Sequence, residues 1–132
     1  MPIPCQIDPQ YSVLHAKCVG VVTLEEILRH IADLAENNSG FNKLDLLLDI
    51  SDLETIPDTT EIASIVNRIE DLRSEFSFGA CAIVAGSDAL FGIARMFTVL
   101  AEQQFRLARV FRDFLQAEFW LHSVNPGRPS PN

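Results

Sequence analysis

With 132 residues, the chain has room for one domain and not for two, and a domain of that size buries roughly two-thirds of its unfolded surface without a disulfide or metal staple. Eighteen acidic side chains against ten basic ones give a net charge of −8, which argues against binding nucleic acid through its phosphates. Hydrophobic residues make up 48% of the sequence, yet no unbroken apolar run approaches the ~20 residues of a membrane span.

The opening MPIPCQIDPQYS lacks a basic patch followed by an apolar stretch, so no secretory leader is expected and a cytoplasmic location is. CQID and SVLHAKCVG read as a pair of strands, with Leu14, Ala16 and Cys18 alternating on one side and Gly20 ending the second. Thr23 opens a helix, with Glu26 three residues on as its capping-box partner. Leu24, Ile27, Leu28, Ile31, Leu34 and Ala35 share its apolar face, while Glu26, Arg29, His30, Asp33 and Glu36 are assigned to the wet one. LDLLLDI (44–50) is apolar almost throughout, as in a strand covered on both faces. A second capping box, Asp58 with Glu61, starts a helix that faces inward through Ile62, Ile65, Val66, Ile69 and Leu72. ACAIVA (80–85) is another buried strand, 87–103 a third helix, RLARVF a last strand and DFLQAEFWLHS a closing helix. The domain thus spans 1–123, and the Pro-rich remainder, 124–132, is expected to be a disordered tail. Two strands followed by helix–strand units imply an α/β sheet with helices packed on it.

The third helix differs from the other two. At 100° per residue, Leu90, Ile93, Ala94, Phe97, Leu100 and Ala101 gather within ~120° as its core face. The opposite stripe holds Asp88, Gly92, Arg95, Val99 and Glu102, flanked by Phe91 and Met96. Arginine among large apolar side chains is the composition of interface cores, so Phe91, Gly92, Arg95, Met96 and Val99 are candidate partner-binding residues, most simply for a second copy of the chain. The competing expectation is that the stripe is covered from within, by the closing helix through Phe114, Leu115, Phe119 and Trp120 or by the tail.

Four stretches carry a family resemblance: VGVVTLEEI (19–27), LLLDISDLE (46–54), AIVAGSDALFGIARMF (82–97) and VFRDFLQAEFWL (110–121). Over residues 4–123 the chain resembles a SpoIIAA-like protein, of the group that shares the STAS fold of anti-sigma-factor antagonists. The resemblance implies a mixed five-stranded sheet with helices packed mainly on one face, no catalytic activity, no cofactor, and binding of a regulatory protein partner or a small ligand near the loop before the second helix. In antagonists that helix begins Asp-Ser-Ser-Gly, and the second hydroxyl residue is phosphorylated. The matching residues here are Asp58, Thr59, Thr60 and Glu61, which makes Thr60, with Thr59 beside it, the candidate phosphorylation site. Glu61 departs from the pattern, and both carboxylates already explain themselves as a cap. The group also resembles the lipid-binding Sec14 fold, which implies a small apolar or anionic ligand among Phe91, Phe97 and Phe114.

Other chemistry is weaker. Asp49 ends a buried strand as a receiver-domain phosphoacceptor does, but the first strands end without an acidic pair for Mg²⁺, and neither lysine, Lys17 or Lys43, ends a late strand. Asp49, Ser51, Asp52 and Ser87 remain a candidate ligand loop at the carboxyl ends of the strands, against the plainer reading of caps and polar turns. His15, His30 and His122 show no metal-ligand spacing, and Cys5, Cys18 and Cys81 are too scattered for a metal or redox pair. Arg106, Arg109 and Arg112 are either edge-protecting charges or contacts for an anionic ligand. The sequence therefore predicts a non-enzymatic binding module, a homodimer through the third helix, with a carrier of a small apolar or anionic molecule in a pocket beneath that same helix as the alternative.

Overall fold

The computed structural model describes residues 5–8, 12–37, 43–71 and 77–124; the proposed tail from 125 onward, Leu72 and the side chains of Cys5, Leu34, Ala35 and Glu36 lie outside what is described. The elements run β1 (Cys5–Asp8), β2 (Val13–Gly20), α1 (Leu24–Asn37), β3 (Lys43–Leu53), α2 (Thr59–Asp71), β4 (Ser77–Val84), α3 (Asp88–Leu100), β5 (Leu107–Phe111) and α4 (Phe114–Ser123). The strands lie in the order β1-β2-β3-β4-β5, with β1 antiparallel to β2 and β2 through β5 mutually parallel.

That order decides where the helices go. Parallel crossovers are right-handed almost without exception, so three crossovers stepping the same way across the sheet put α1, α2 and α3 on one face. Ile31, Ile62, Ile65, Val66, Ile69, Leu90, Ala94 and Phe97 meet Leu14, Ala16, Cys18, Leu44, Leu46, Ile50, Cys81 and Ile83 of the sheet there. No strand follows α4, which packs on the opposite face through Ala117 and Leu121 against Leu47, Ala80, Ala82, Val84 and Phe111. Trp120 completes that layer, its ring 5.5 Å from Phe111. β3 is covered on both sides by this arrangement: Leu44, Leu46 and Ile50 face the three-helix layer, and Leu47 faces α4.

Both predicted capping boxes form. Thr23 N donates to Glu26 Oε1 at 3.1 Å and Glu26 N to Thr23 Oγ1 at 3.2 Å. Asp58 N donates to Glu61 Oε1 at 3.1 Å, and Glu61 N to Asp58 Oδ1 at 2.8 Å. The sheet is irregular at two places, and an aspartate of β3 serves each. Between Leu44↔Phe78 and Leu46↔Cys81, β4 carries one residue more than β3, and the Ala80 N–H turns to the buried Asp45 Oδ1 at 2.8 Å. Between Lys17↔Asp49 and Val19↔Asp52 the extra residue belongs to β3, and the Ser51 N–H is taken by Asp49 Oδ1 at 2.9 Å. A bulge leaves a backbone group without a ladder partner, and a short carboxylate nearby supplies the missing acceptor.

Candidate functional site

The outer stripe of α3 is open. Val99 is 66% exposed and Leu100 46%, Gly92 and Arg95 are exposed, and a methyl group built on Gly92 would meet nothing within 4 Å. Leu100, expected on the core face, is instead exposed at the last position of α3, and Ala101 after it is the buried residue. Phe91 and Met96 are half-buried and pack against the core. Phe91 also lies under the Arg112 guanidinium, 4.4 Å from its ring centre. The expectation that α4 covers this stripe is corrected by the topology, since α4 lies on the other side of the sheet; cover by the tail falls outside the described residues. Leu115 at 71% and Phe119 at 61% exposure give α4 an open apolar face of its own.

The strand-end residues gather only in part. Asp49 accepts from both the amide and the hydroxyl of Ser51, and a Cβ on Gly86 would come within 3.5 Å of the Ser51 carbonyl oxygen. Asp52 pairs instead with Lys17 at 3.3 Å. Ser87 caps α3 by accepting from Leu90 N at 3.1 Å. Thr59 and Thr60 are exposed in the first turn of α2, in the same turn as both carboxylates of its capping box. The arginine cluster is dispersed and engaged. Arg106 donates to Val124 O, Arg112 donates to Gly86 O and pairs with Asp88 at 2.8 Å, and Arg109 stacks on Phe111. Among the described residues no group of three or more His, Cys, Asp or Glu side chains is placed to hold a metal ion, and no helix is long and apolar enough to cross a membrane.

A cavity of about 140 Å³ lies between the sheet and α1, α2 and α3, wider than the space beneath the third helix alone that the carrier alternative expected. Leu14, Cys18 and Ile50 form part of its floor, and Ile65, Phe97 and His30 part of its roof. Phe97 lines it as the Sec14 likeness implied; Phe91 and Phe114 do not. His30 was assigned to the wet face of α1, yet its Nε2 is buried with no hydrogen-bond partner. On the helical wheel His30 stands only about 60° from Ile27, so it occupies the shoulder of the apolar arc. Burial lowers the His30 pKa, with Asp33 acting in the opposite direction, which keeps the imidazole neutral at neutral pH. Burial, assisted by Asp49, pushes the Cys18 thiol up to about 11.

Beside the cavity a groove of about 350 Å³ runs between Val21–Leu24 and Thr55–Pro57. Ile27, Pro57 and Ile65 line both spaces and form the wall between them. Val21 and Ile56, 61% and 53% exposed, stand at the groove. Its two sides are tied by Glu54 N donating to Gly20 O at 2.8 Å and Thr55 Oγ1 donating to Val22 O at 3.1 Å. Compared with known proteins, the chain matches no protein-family model, and no curated protein is similar to it in sequence.

Proposed function

We propose that the protein is a non-catalytic binding module that takes up a compact apolar molecule in the cavity beneath α1, α2 and α3. The carrying observation is the void itself. Protein interiors leave few spaces larger than a water molecule, and at ~24 cal/mol per Å³ a dry cavity of this size costs about 3 kcal/mol. Apolar cavities of about 150 Å³ stay dry and accept benzene or xenon, so an occupant of that size recovers the lost contacts. The Cys18 thiol beside it stays protonated and is a poor nucleophile, which favours binding over chemistry. The groove at Val21 and Ile56 is the natural approach, because only three side chains separate it from the cavity. The order of elements and the stretch Phe91–Phe97 support placing the chain among SpoIIAA-like proteins as part of the same reading.

The test is titration of the purified chain with toluene, followed by amide and methyl NMR. Saturable shifts at Leu14, Ile50, Ile65 and Phe97 are expected, with a rise in melting temperature. Shifts confined to surface positions, or none at millimolar toluene, would remove the proposal.

A second reading rests on a separate observation. Arg95 and Glu102 flank the exposed Val99, and neither makes an ion pair among the described residues. Two copies with α3 laid antiparallel about an axis near Thr98 bring each Arg95 toward the other copy's Glu102, which stands in the turn that follows the helix, with Val99 between them. A single helix face falls short of the ~800 Å² per partner of stable complexes, so this self-association is weak and concentration-dependent. Val99→Glu is expected to change unfolding free energy by less than about 0.5 kcal/mol while abolishing dimers in native mass spectrometry at high protein concentration. Dimers that survive the substitution, or a wild type that stays monomeric throughout, would end this reading.

A further inference from the structure

We infer that the Thr55 hydroxyl is the latch that sets how fast a molecule passes between the groove and the cavity, an inference that rests on the cavity being the ligand site proposed above. Cavity and groove are separate spaces, so a molecule moving from one to the other must displace Ile27, Pro57 or Ile65, the side chains common to both. Two of these are held by helices. Ile65 is 8% exposed in the middle of α2, and Ile27 lies on α1 packed against the core. Pro57 belongs instead to the connection between β3 and α2, outside any helix or strand. It has no N–H with which to fasten itself, and Ile56 before it is exposed. Segments with few buried contacts open at the lowest free energy, so Pro57 is the movable part of the wall.

The connection is fastened at three points. At one end, just past the last β2–β3 pair, Gly20 with Leu53, Glu54 N donates to Gly20 O at 2.8 Å. At the other, Asp58 N donates to Glu61 Oε1 within the α2 capping box. Between them the Thr55 hydroxyl reaches across the groove, donating to Val22 O at 3.1 Å and accepting from Val22 N at 3.4 Å. Val22 is 7% exposed and belongs to the core beneath the three helices, so the bridge ties a loose segment to a fixed one. The end fastenings continue the sheet and start α2, and Pro57 can swing between them without breaking either. Widening the groove at Pro57, by contrast, parts Thr55 from Val22. The bridge is closed with the cavity empty or filled and open only in passage. Its loss therefore speeds entry and exit alike and leaves the affinity unchanged.

Thr55→Val keeps the shape of the side chain and removes the hydroxyl. Toluene entry and exit are measured by NMR exchange spectroscopy for the wild type, Thr55→Val, Thr55→Ser and Asp113→Ala. The last removes the cap of α4 on the opposite face of the sheet and loosens the fold without touching the groove. Both rate constants are expected to rise about fivefold in Thr55→Val, the effect of one neutral hydrogen bond, with the dissociation constant unchanged. Thr55→Ser, which retains the hydroxyl, and Asp113→Ala should both keep the wild-type rates. An unchanged entry rate in Thr55→Val, whatever its affinity, or an equal acceleration in Asp113→Ala, would overturn the latch and leave the cavity reading standing. Failure of the wild type to bind toluene would remove both. Should Thr55→Val fail to fold, relaxation dispersion on the wild type carries the test. The Thr55 and Ile56 amides should fluctuate on the timescale of toluene exchange, and a connection that stays rigid there while toluene comes and goes would overturn the latch.

Discussion

Asp45→Leu is expected to lower the unfolding free energy by about 3 kcal/mol, as large a loss as deleting a core side chain. Asp45 is 2% exposed, the only polar or charged side chain among the buried residues described, and sits near the start of the strand that both layers cover. Its carboxylate takes the Ala80 N–H that the β4 bulge leaves without a ladder partner. Leucine would match the surrounding surface and still leave that amide buried and unpaired, so the gain in apolar burial does not compensate. The carboxylate also reaches the neighbouring Cys81: burial, and then Asp45, raise the thiol pKa. Asp45→Asn keeps an acceptor oxygen in place and is expected to lose less than half as much. Urea denaturation of both variants checks the prediction. An Asp45→Leu protein with the wild-type midpoint would show that the bulge relaxes and the amide finds another partner.

The same residue marks the limit of what can be read from the chain. LDLLLDI is legible as a covered strand because apolar residues occupy both of its faces, and the pattern needs only the period of two. The purpose of the aspartate inside it depends on a register shift against a strand some thirty-five residues away, which no local pattern encodes. Both capping boxes were legible for the opposite reason: a Thr or Asp and a Glu three positions apart complete each one within a single turn. The wheel of α3 correctly separated Leu90, Ala94 and Phe97 from Gly92, Arg95 and Val99, since a helix fixes which residues share a side. It could not say what lies over the outer side. That depended on α4 going to the other layer, a consequence of strand order and not of any residue in α3 or α4. His30 was misplaced because a shoulder position is assigned by polarity in a sequence and by packing in a fold. The extent of the cavity has no sequence signature, because it is the space that Leu14, Ile50, Ile65 and Phe97 do not fill.

Phe97→Ala is expected to destabilise the fold by about 4 kcal/mol and, in the same step, to change which molecules bind. Phe97 is 7% exposed and lines the cavity together with Phe78. Its ring stands edge-on to Phe105 at 6.1 Å, and Phe105 meets Phe78 at 5.3 Å. Removing the first ring of this chain opens its volume into the existing void, where neighbours fixed by the sheet can collapse only in part. A domain of ordinary stability, ~5–15 kcal/mol, survives the loss in weakened form. The enlarged space should then admit the bicyclic indole, which exceeds the wild-type cavity. Indole at a hundred times its dissociation constant restores about 2.7 kcal/mol by mass action. Leu121→Ala is the control, because Leu121 is also buried, 1% exposed, but lies in the α4 layer. It should lose about 3 kcal/mol and gain nothing from indole. Urea curves for the three proteins with and without indole separate the cases. Rescue of Phe97→Ala alone locates binding in the cavity, whereas rescue of both variants, or of neither, would mean that the cavity is not where small apolar molecules act.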